Sequence, residues 1–268
     1  MLLVGYFVWD QYQQGRVALP GIQPVVSPTP AATPQTSTAP TLNLELEPVD
    51  FVSRPAQRKI LELIGAQNYA ESLAASDAWL RRNPTDALIG LMRENAIVEL
   101  GNAGAYTIGV SAPLTGALKQ VGEAFLQGVL LAVRQVNSSG GLQRGTVMNR
   151  IKVRVLNDAG DRAEAIKVAS AFAKDKLIWG VIGPYSSSTL LAAAPIYNNS
   201  SNVIIAPAAT NPRISSAGAN IYRVAPSDST QGASLARLVL ARGNKSVAVL
   251  FDADDAYSSG LSVSFKAE

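Results

Sequence analysis

The residues best suited to chemistry are small hydroxyls in two places. Ser186, Ser187 and Ser188 follow the apolar run Trp179–Ile182, and Thr210 follows the run Val203–Ala206. Serine and threonine are strong hydrogen-bonding groups but weak nucleophiles without a base beside them. The chain has no His and no Cys. That excludes thiol chemistry, disulfides, His-based triads and the usual zinc sites. No G-x-S-x-G, no P-loop and no G-x-G-x-x-G after a strand occurs. The chemistry left is recognition: a small anionic or zwitterionic molecule held without reaction, and no cofactor.

The elements that must position these hydroxyls are readable around them. Both apolar runs are short and rich in Val and Ile, which suits buried strands. Thr189–Tyr197 between them is rich in Ala and Leu and reads as a helix. Strand, helix and strand in this order imply parallel strands with a right-handed crossover. Ligands of such sheets sit at the carboxyl ends of the strands, where both hydroxyl clusters fall. Ser187 is placed as a helix N-cap, so the N–H groups of Ser188 and Thr189 would face an anion.

Composition agrees with binding. Apolar residues make up 47% of the 268-residue chain and charged residues 16%, as in globular domains with a real core. The net charge is only +3. With no basic stripe interleaved with aromatics, nucleic acid is not an expected partner.

Residues 1–16 open with the apolar stretch Met1–Trp9, about half of the roughly 20 residues that cross a membrane. They read as an anchor or signal remnant. Residues 17–53 form a Pro/Thr-rich linker, expected to be extended and disordered. Residues 54–102 read as a helical hairpin. Pro55 opens one helix, Tyr69–Arg82 forms a second, and Thr85 and Asp86 cap a third that reaches Leu100. Its NYAESL…WLRRNPTDAL resembles a single tetratricopeptide unit, which is either a spacer on the main domain or a docking site for a partner protein.

From Tyr106 strands and helices alternate. Strands are expected at Tyr106–Val110, Ile151–Leu156, Ile221–Val224 and Val247–Phe251. Helices are expected at Gly122–Val136, Arg162–Ala173, Thr230–Arg242 and Ser258–Lys266. Ile151–Leu156 alternates apolar with basic residues and belongs at the sheet margin. Val247–Phe251 is a continuous apolar run and reads as a buried strand. It has no later strand to pair with, so the chain reads as a fragment lacking most of a second lobe. Asp252, Asp254 and Asp255 lack the glycine and terminal glutamate of a calcium loop and read as a solvated turn.

The segments IGVSAPLTG, GEAFLQGVLLAVRQVNSSGGL, VIGPYSSSTLLAAAPIY, IIAPAATNPRI, YRVAPSDSTQGASLA and VAVLFDADDAYSSGL follow one another in register. Together they resemble the type I periplasmic solute-binding proteins of branched-chain amino acid ABC transporters, over residues 105–268. The preceding anchor, linker and hairpin resemble cyanobacterial members. The resemblance implies an α/β fold, a parallel sheet flanked by helices forming a first lobe plus the start of a second. It implies an extracytoplasmic location, a membrane permease as partner, and a small amino acid or related polar solute as ligand. Ser187 matches the serine that binds the ligand carboxylate, with Tyr185 and Ser186 lining the same pocket. Ala208 matches the residue whose carbonyl takes the ligand ammonium. Ala209 lies beside it, and Thr210 matches the threonine that contacts the polar head. Asp228 sits at the crossing between lobes, and Tyr257 matches a tyrosine that closes from the second lobe. Val121 stands where the family commonly has an aromatic, which loosens specificity. A sensor ectodomain on the same fold, or a non-functional truncated piece, is the alternative.

Overall fold

The computed structural model describes residues 54–101 and 104–268. The expected anchor and linker lie outside the described residues.

Three helices come first: α1 (Pro55–Gly65), α2 (Tyr69–Leu80) and α3 (Ala87–Leu100). Their starts obey simple chemistry. Pro55 occupies the first turn of α1, where its missing N–H is not needed. Asn68 and Asp86 cap α2 and α3 by accepting from the Glu71 and Ile89 amides. Asp86 also accepts from Trp79 Nε1 at 2.8 Å and Gln57 Nε2 at 2.5 Å, which locks the turn between α2 and α3 onto α1.

The α/β part runs β1 (Ala105–Ala112), α4 (Lys119–Ser138), β2 (Leu142–Arg144), β3 (Val147–Asn157), α5 (Arg162–Lys174), β4 (Ile178–Ile182), α6 (Ser187–Asn198), β5 (Val203–Ala206), β6 (Ile221–Arg223), α7 (Asp228–Ala241) and α8 (Ala256–Lys266). The sheet order is β2-β3-β1-β4-β5-β6. β3, β1, β4, β5 and β6 are parallel, and β2 forms a short antiparallel hairpin with the start of β3. The parallel sheet expected from the strand–helix alternation is therefore present. The β2 hairpin was not legible, because three exposed residues carry no periodicity.

Two cores flank the sheet. On one face Phe172, Leu190, Ala193 and Tyr197 of α5 and α6 bury Val181, Ile204 and Ile221. On the other, Leu126, Val129, Leu130 and Val133 of α4 share one cluster with Val110, Val153 and the hairpin residues Ile60, Ile64, Ile89 and Leu91. The hairpin and the lobe thus have a common hydrophobic core. Gly90 makes the close approach possible, since a Cβ there would stand 2.5 Å from Leu130 Cδ2.

The third helix also finishes the sheet. Beyond its short pairing with β2, β3 has an open edge. Asn95 on α3 donates to the Val153 carbonyl at 2.7 Å and accepts from the Val153 amide at 2.8 Å. Asn137 on α4 does the same for Ile151, at 2.9 and 2.7 Å. Each side-chain amide imitates one residue of a neighbouring strand. The basic residues of the same stretch are also held: Lys152 pairs with Glu99 at 2.6 Å and Arg154 with Asp175 at 2.7 Å.

Two expectations need correction. Val247–Phe251 is not a strand. It runs without secondary structure, with Leu250 97% exposed and Val247 and Phe251 about half exposed. A strand is a pairing relation, and no described strand lies beside it. The helix N-cap after β4 is Ser186, not Ser187. Ser186 has extended backbone and accepts from the Thr189 amide, while Ser187 is the first helical residue.

The first loop is shaped by contact rather than by hydrogen bonding alone. A Cβ on Gly122 would lie 2.0 Å from the Pro113 carbonyl oxygen. Gly122→Ala must push α4 off that loop. It is expected to cost about 1–3 kcal/mol, as overpacking does, and a denaturation midpoint measures it.

Candidate functional site

The carboxyl ends of β4 and β5 meet in one cluster. Ser187 is 1% exposed. Its Oγ accepts from the Thr210 amide at 3.1 Å and the Asn211 amide at 3.2 Å. Both acceptor positions are used, so the hydroxyl has only its proton left to give. The Thr210 carbonyl accepts from the Asp228 amide at 2.9 Å. Ser187, Thr210 and Asp228, 41 residues apart in sequence, are therefore neighbours linked through backbone bonds.

Arg223 at the end of β6 braces the same loop. Its Nη1 donates to the Thr210 carbonyl at 3.2 Å and the Asn211 carbonyl at 2.9 Å, and its Nη2 donates to Ser215 Oγ at 3.0 Å. Sequence reasoning passed over Arg223 and Asn211, and it gave the Ser188 hydroxyl no partner of its own. The only local signals were an Asn before Pro212 and the third serine of the run.

Not every hydroxyl is free for a ligand. Ser186 Oγ accepts from the Thr189 amide at 3.2 Å and lies 2.8 Å from Thr189 Oγ1. The expected contribution of the Thr189 N–H to an anion site is therefore lost, because the cap already uses it. Ser188 Oγ donates to Asp255 Oδ1 at 2.8 Å and accepts from the Ala256 amide at 2.8 Å. Asn211 Nδ2 donates to the Ala256 carbonyl at 2.5 Å, and Arg162 donates to the Asp254 carbonyl. These bonds clamp the start of α8 beside the site. Asp255, read from sequence as part of a solvated turn, is the cap of α8 and the partner of Ser188.

Thr210 Oγ1 and both carboxylate oxygens of Asp228 are buried and have no hydrogen-bond partner. Asp228 is fully buried. Burial pushes its carboxyl above the ordinary aspartate range, and the Asp255 carboxylate adds to this; the Thr210 hydroxyl and Arg223 temper it from nearby. At the carboxyl end of β3, Asp158 is also raised by burial, tempered by hydrogen bonds from Ser111 and the Gly160 amide.

The remaining expected residues are scattered around this centre. Ala208 is half-buried and Ala209 buried in the loop after β5. Tyr185 is half-buried and its ring lies 6.1 Å from that of Phe125. Phe125 is one helical turn after Val121, so α4 brings an aromatic ring up to Tyr185. Tyr257 is 41% exposed on α8 and takes no part in the bonds that clamp this helix. Among the described residues no acidic cluster could hold a metal ion, and no helix is long and apolar enough to cross a membrane.

The family described as Periplasmic binding protein matches residues 105–268. The chain belongs to that family. Relatives of this periplasmic binding protein include the leucine-, isoleucine-, valine-, threonine- and alanine-binding protein of Pseudomonas aeruginosa. It is 31% identical over 166 residues, 61% of this chain and 43% of that protein. An amino acid binding protein of the same organism is 29% identical over 60% of this chain and 42% of its own length. Among solved structures, an ABC transporter substrate-binding protein from Desulfitobacterium hafniense in complex with Leu has a TM-score of 0.52. It is 28% identical over 61% of this chain and 46% of that one. A branched-chain amino acid transporter substrate-binding protein from Streptococcus pneumoniae with isoleucine gives 0.55, at 25% identity and the same coverage. The fold is thus that of type I periplasmic binding proteins. The chain spans less than half the length of these relatives.

Proposed function

We propose that residues 105–268 form the solute-holding lobe of an ABC transporter substrate-binding protein, and that the solute is a small amino acid of branched-chain type. The observation that carries this reading is the cluster of unmet buried groups, Thr210 Oγ1 and the Asp228 carboxylate, beside the Ser187 hydroxyl. A zwitterion supplies what such a cluster lacks. Its carboxylate takes the Ser187 proton, and its ammonium meets the Ala208 carbonyl and the Thr210 hydroxyl. Burying either end unpaired would cost several kcal/mol. Phe125 and Tyr185 form the apolar wall for the side chain.

In this reading the protein works outside the cytoplasm, held to the membrane by its N-terminal stretch, and a permease reads the closed form. Two apolar surfaces are exposed in residues 105–268. One is the unpaired run Val247–Phe251. The other is the sheet face carrying Val203, Ile205 and Tyr222, each at least 40% exposed.

Calorimetric titration with leucine, alanine, leucinamide and urea tests the assignment. Leucine is expected to bind with heat and without turnover. Leucinamide should bind at least about tenfold more weakly, the cost of losing one hydrogen bond to a charged group. Equal binding of acid and amide refutes the carboxylate assignment, and any product formed from a bound amino acid refutes binding without reaction.

A further inference from the structure

The proposed solute site contains a buried carboxyl group whose oxygens have no hydrogen-bond partner. Asp228 is fully buried, and neither of its oxygens accepts a hydrogen bond. An isolated carboxylate in such a place is costly, and the group avoids the cost by keeping its proton. The charged groups that face it are two. Arg223, from β6, is the nearest cation and draws the carboxyl down, but three of its five N–H donors go to the Thr210 and Asn211 carbonyls and to Ser215, and none goes to Asp228. Asp255, the cap of α8, is a second carboxylate and works against ionisation. Asp255 itself is satisfied by Ser188 Oγ and the Ser258 amide. Of these two carboxyls only Asp228 has no hydrogen-bond partner.

We propose that the empty site stores a proton on Asp228 and exchanges it for the ammonium end of the solute. This rests on the solute-binding reading of the same cluster. The exchange makes Asp228 a specificity-determining residue. Solutes that bring a positive nitrogen against Thr210 and Asp228 gain a partner at the moment the proton leaves. A carboxylate without an ammonium gains nothing there.

The linkage has a definite sign. In the empty protein Asp228 titrates above the usual aspartate range of about 3.9. With an ammonium beside it the group titrates lower. Affinity for an ammonium-bearing solute therefore rises with pH between these two values, by up to about tenfold per pH unit, and levels off above the empty-state value. The same raised pKa means that the proton stabilises the empty fold. That stability is present in acid and is lost as pH rises through the folded-state value.

The experiment uses the 268-residue chain and two probes, leucine and 4-methylpentanoate, which lacks the ammonium. Titrations are run in two buffers of different ionisation enthalpy across the acid-to-neutral range. Leucine is expected to give a buffer-dependent heat that reports proton release in acid, with affinity climbing as pH rises. Over the pH range in which its own carboxyl is already ionised, 4-methylpentanoate is expected to gain no affinity as pH rises. Asp228→Asn should abolish the leucine pH dependence. Without any ligand, it should raise the melting temperature near neutral pH and much less in acid, because it removes a buried charge. If leucine binds with a heat that is the same in both buffers, the exchange is refuted and the solute-binding reading stands. A melting temperature of Asp228→Asn that falls at every pH likewise overturns it. If neither probe binds at any pH, the site reading fails and the exchange fails with it.

Discussion

Ser187→Ala is expected to unfold the protein more easily as well as to weaken solute binding. Ser187 Oγ is the single acceptor for the Thr210 and Asn211 amides, and it is buried at 1% exposure. Alanine leaves both amides bare, at about 1–3 kcal/mol for each unsatisfied buried donor. The denaturant midpoint of the empty protein should therefore drop with an unchanged slope. This revises the expectation for a hydroxyl that merely faces a ligand, whose loss would cost binding alone. Ser188→Ala is the control. It removes the link to Asp255 and Ala256, so it should loosen α8 while leaving the loop after β5 in place. A Ser187→Ala protein with the wild-type midpoint would mean that the clasp between α6 and that loop contributes no stability.

The double substitution Asn95→Ala with Asn137→Ala is expected to be more damaging still, and in a second way. Together the two amides satisfy four backbone groups of β3, the N–H and C=O of Ile151 and of Val153. Each single change should cost about 1–3 kcal/mol. The pair acts on positions two residues apart, so the effects need not add. Removing both also bares a row of strand donors and acceptors, a template for pairing with another chain. Sedimentation at rising concentration should show self-association of the double variant and not of the wild type. Asn95→Asp should be intermediate, because a carboxylate still accepts from the Val153 amide but cannot donate to its carbonyl. Monomeric behaviour and a wild-type midpoint in the double variant would overturn this account of the edge.

How much of this was legible beforehand depends on the range of the interactions. Local rules worked where cause and effect lie a few residues apart. Pro55, Asp86 and the alternation in Ile151–Leu156 each mark a real helix start or sheet position. Ser187, Thr210 and Asp228 could be singled out, yet their direct linkage could not, because it rests on backbone amides with no sequence signature. The serine run shows the limit within one motif. All three residues have the same side chain, and only the backbone decides that Ser186 caps, Ser187 clasps the next loop and Ser188 holds α8. Asn95 was silent for a different reason. In the helix ALIGLMRENAIVEL it reads as a surface position, and its partner Val153 is 58 residues away. Val247–Phe251 failed in the opposite direction. Its composition is that of a strand, but composition supplies no neighbour.

The amide seal on β3 has a consequence for the order in which the protein is made. α3 precedes β3 in the chain by about the length of α4 and two short strands. Domains fold as they leave the ribosome, amino-terminal parts first. When Ile151 and Val153 emerge, Asn95 and the apolar face of the hairpin are already outside and waiting. The strand with the open edge never has to survive in solution without its cover. In that sense the first three helices act as a chaperone built into the same polypeptide, synthesised ahead of the segment they protect.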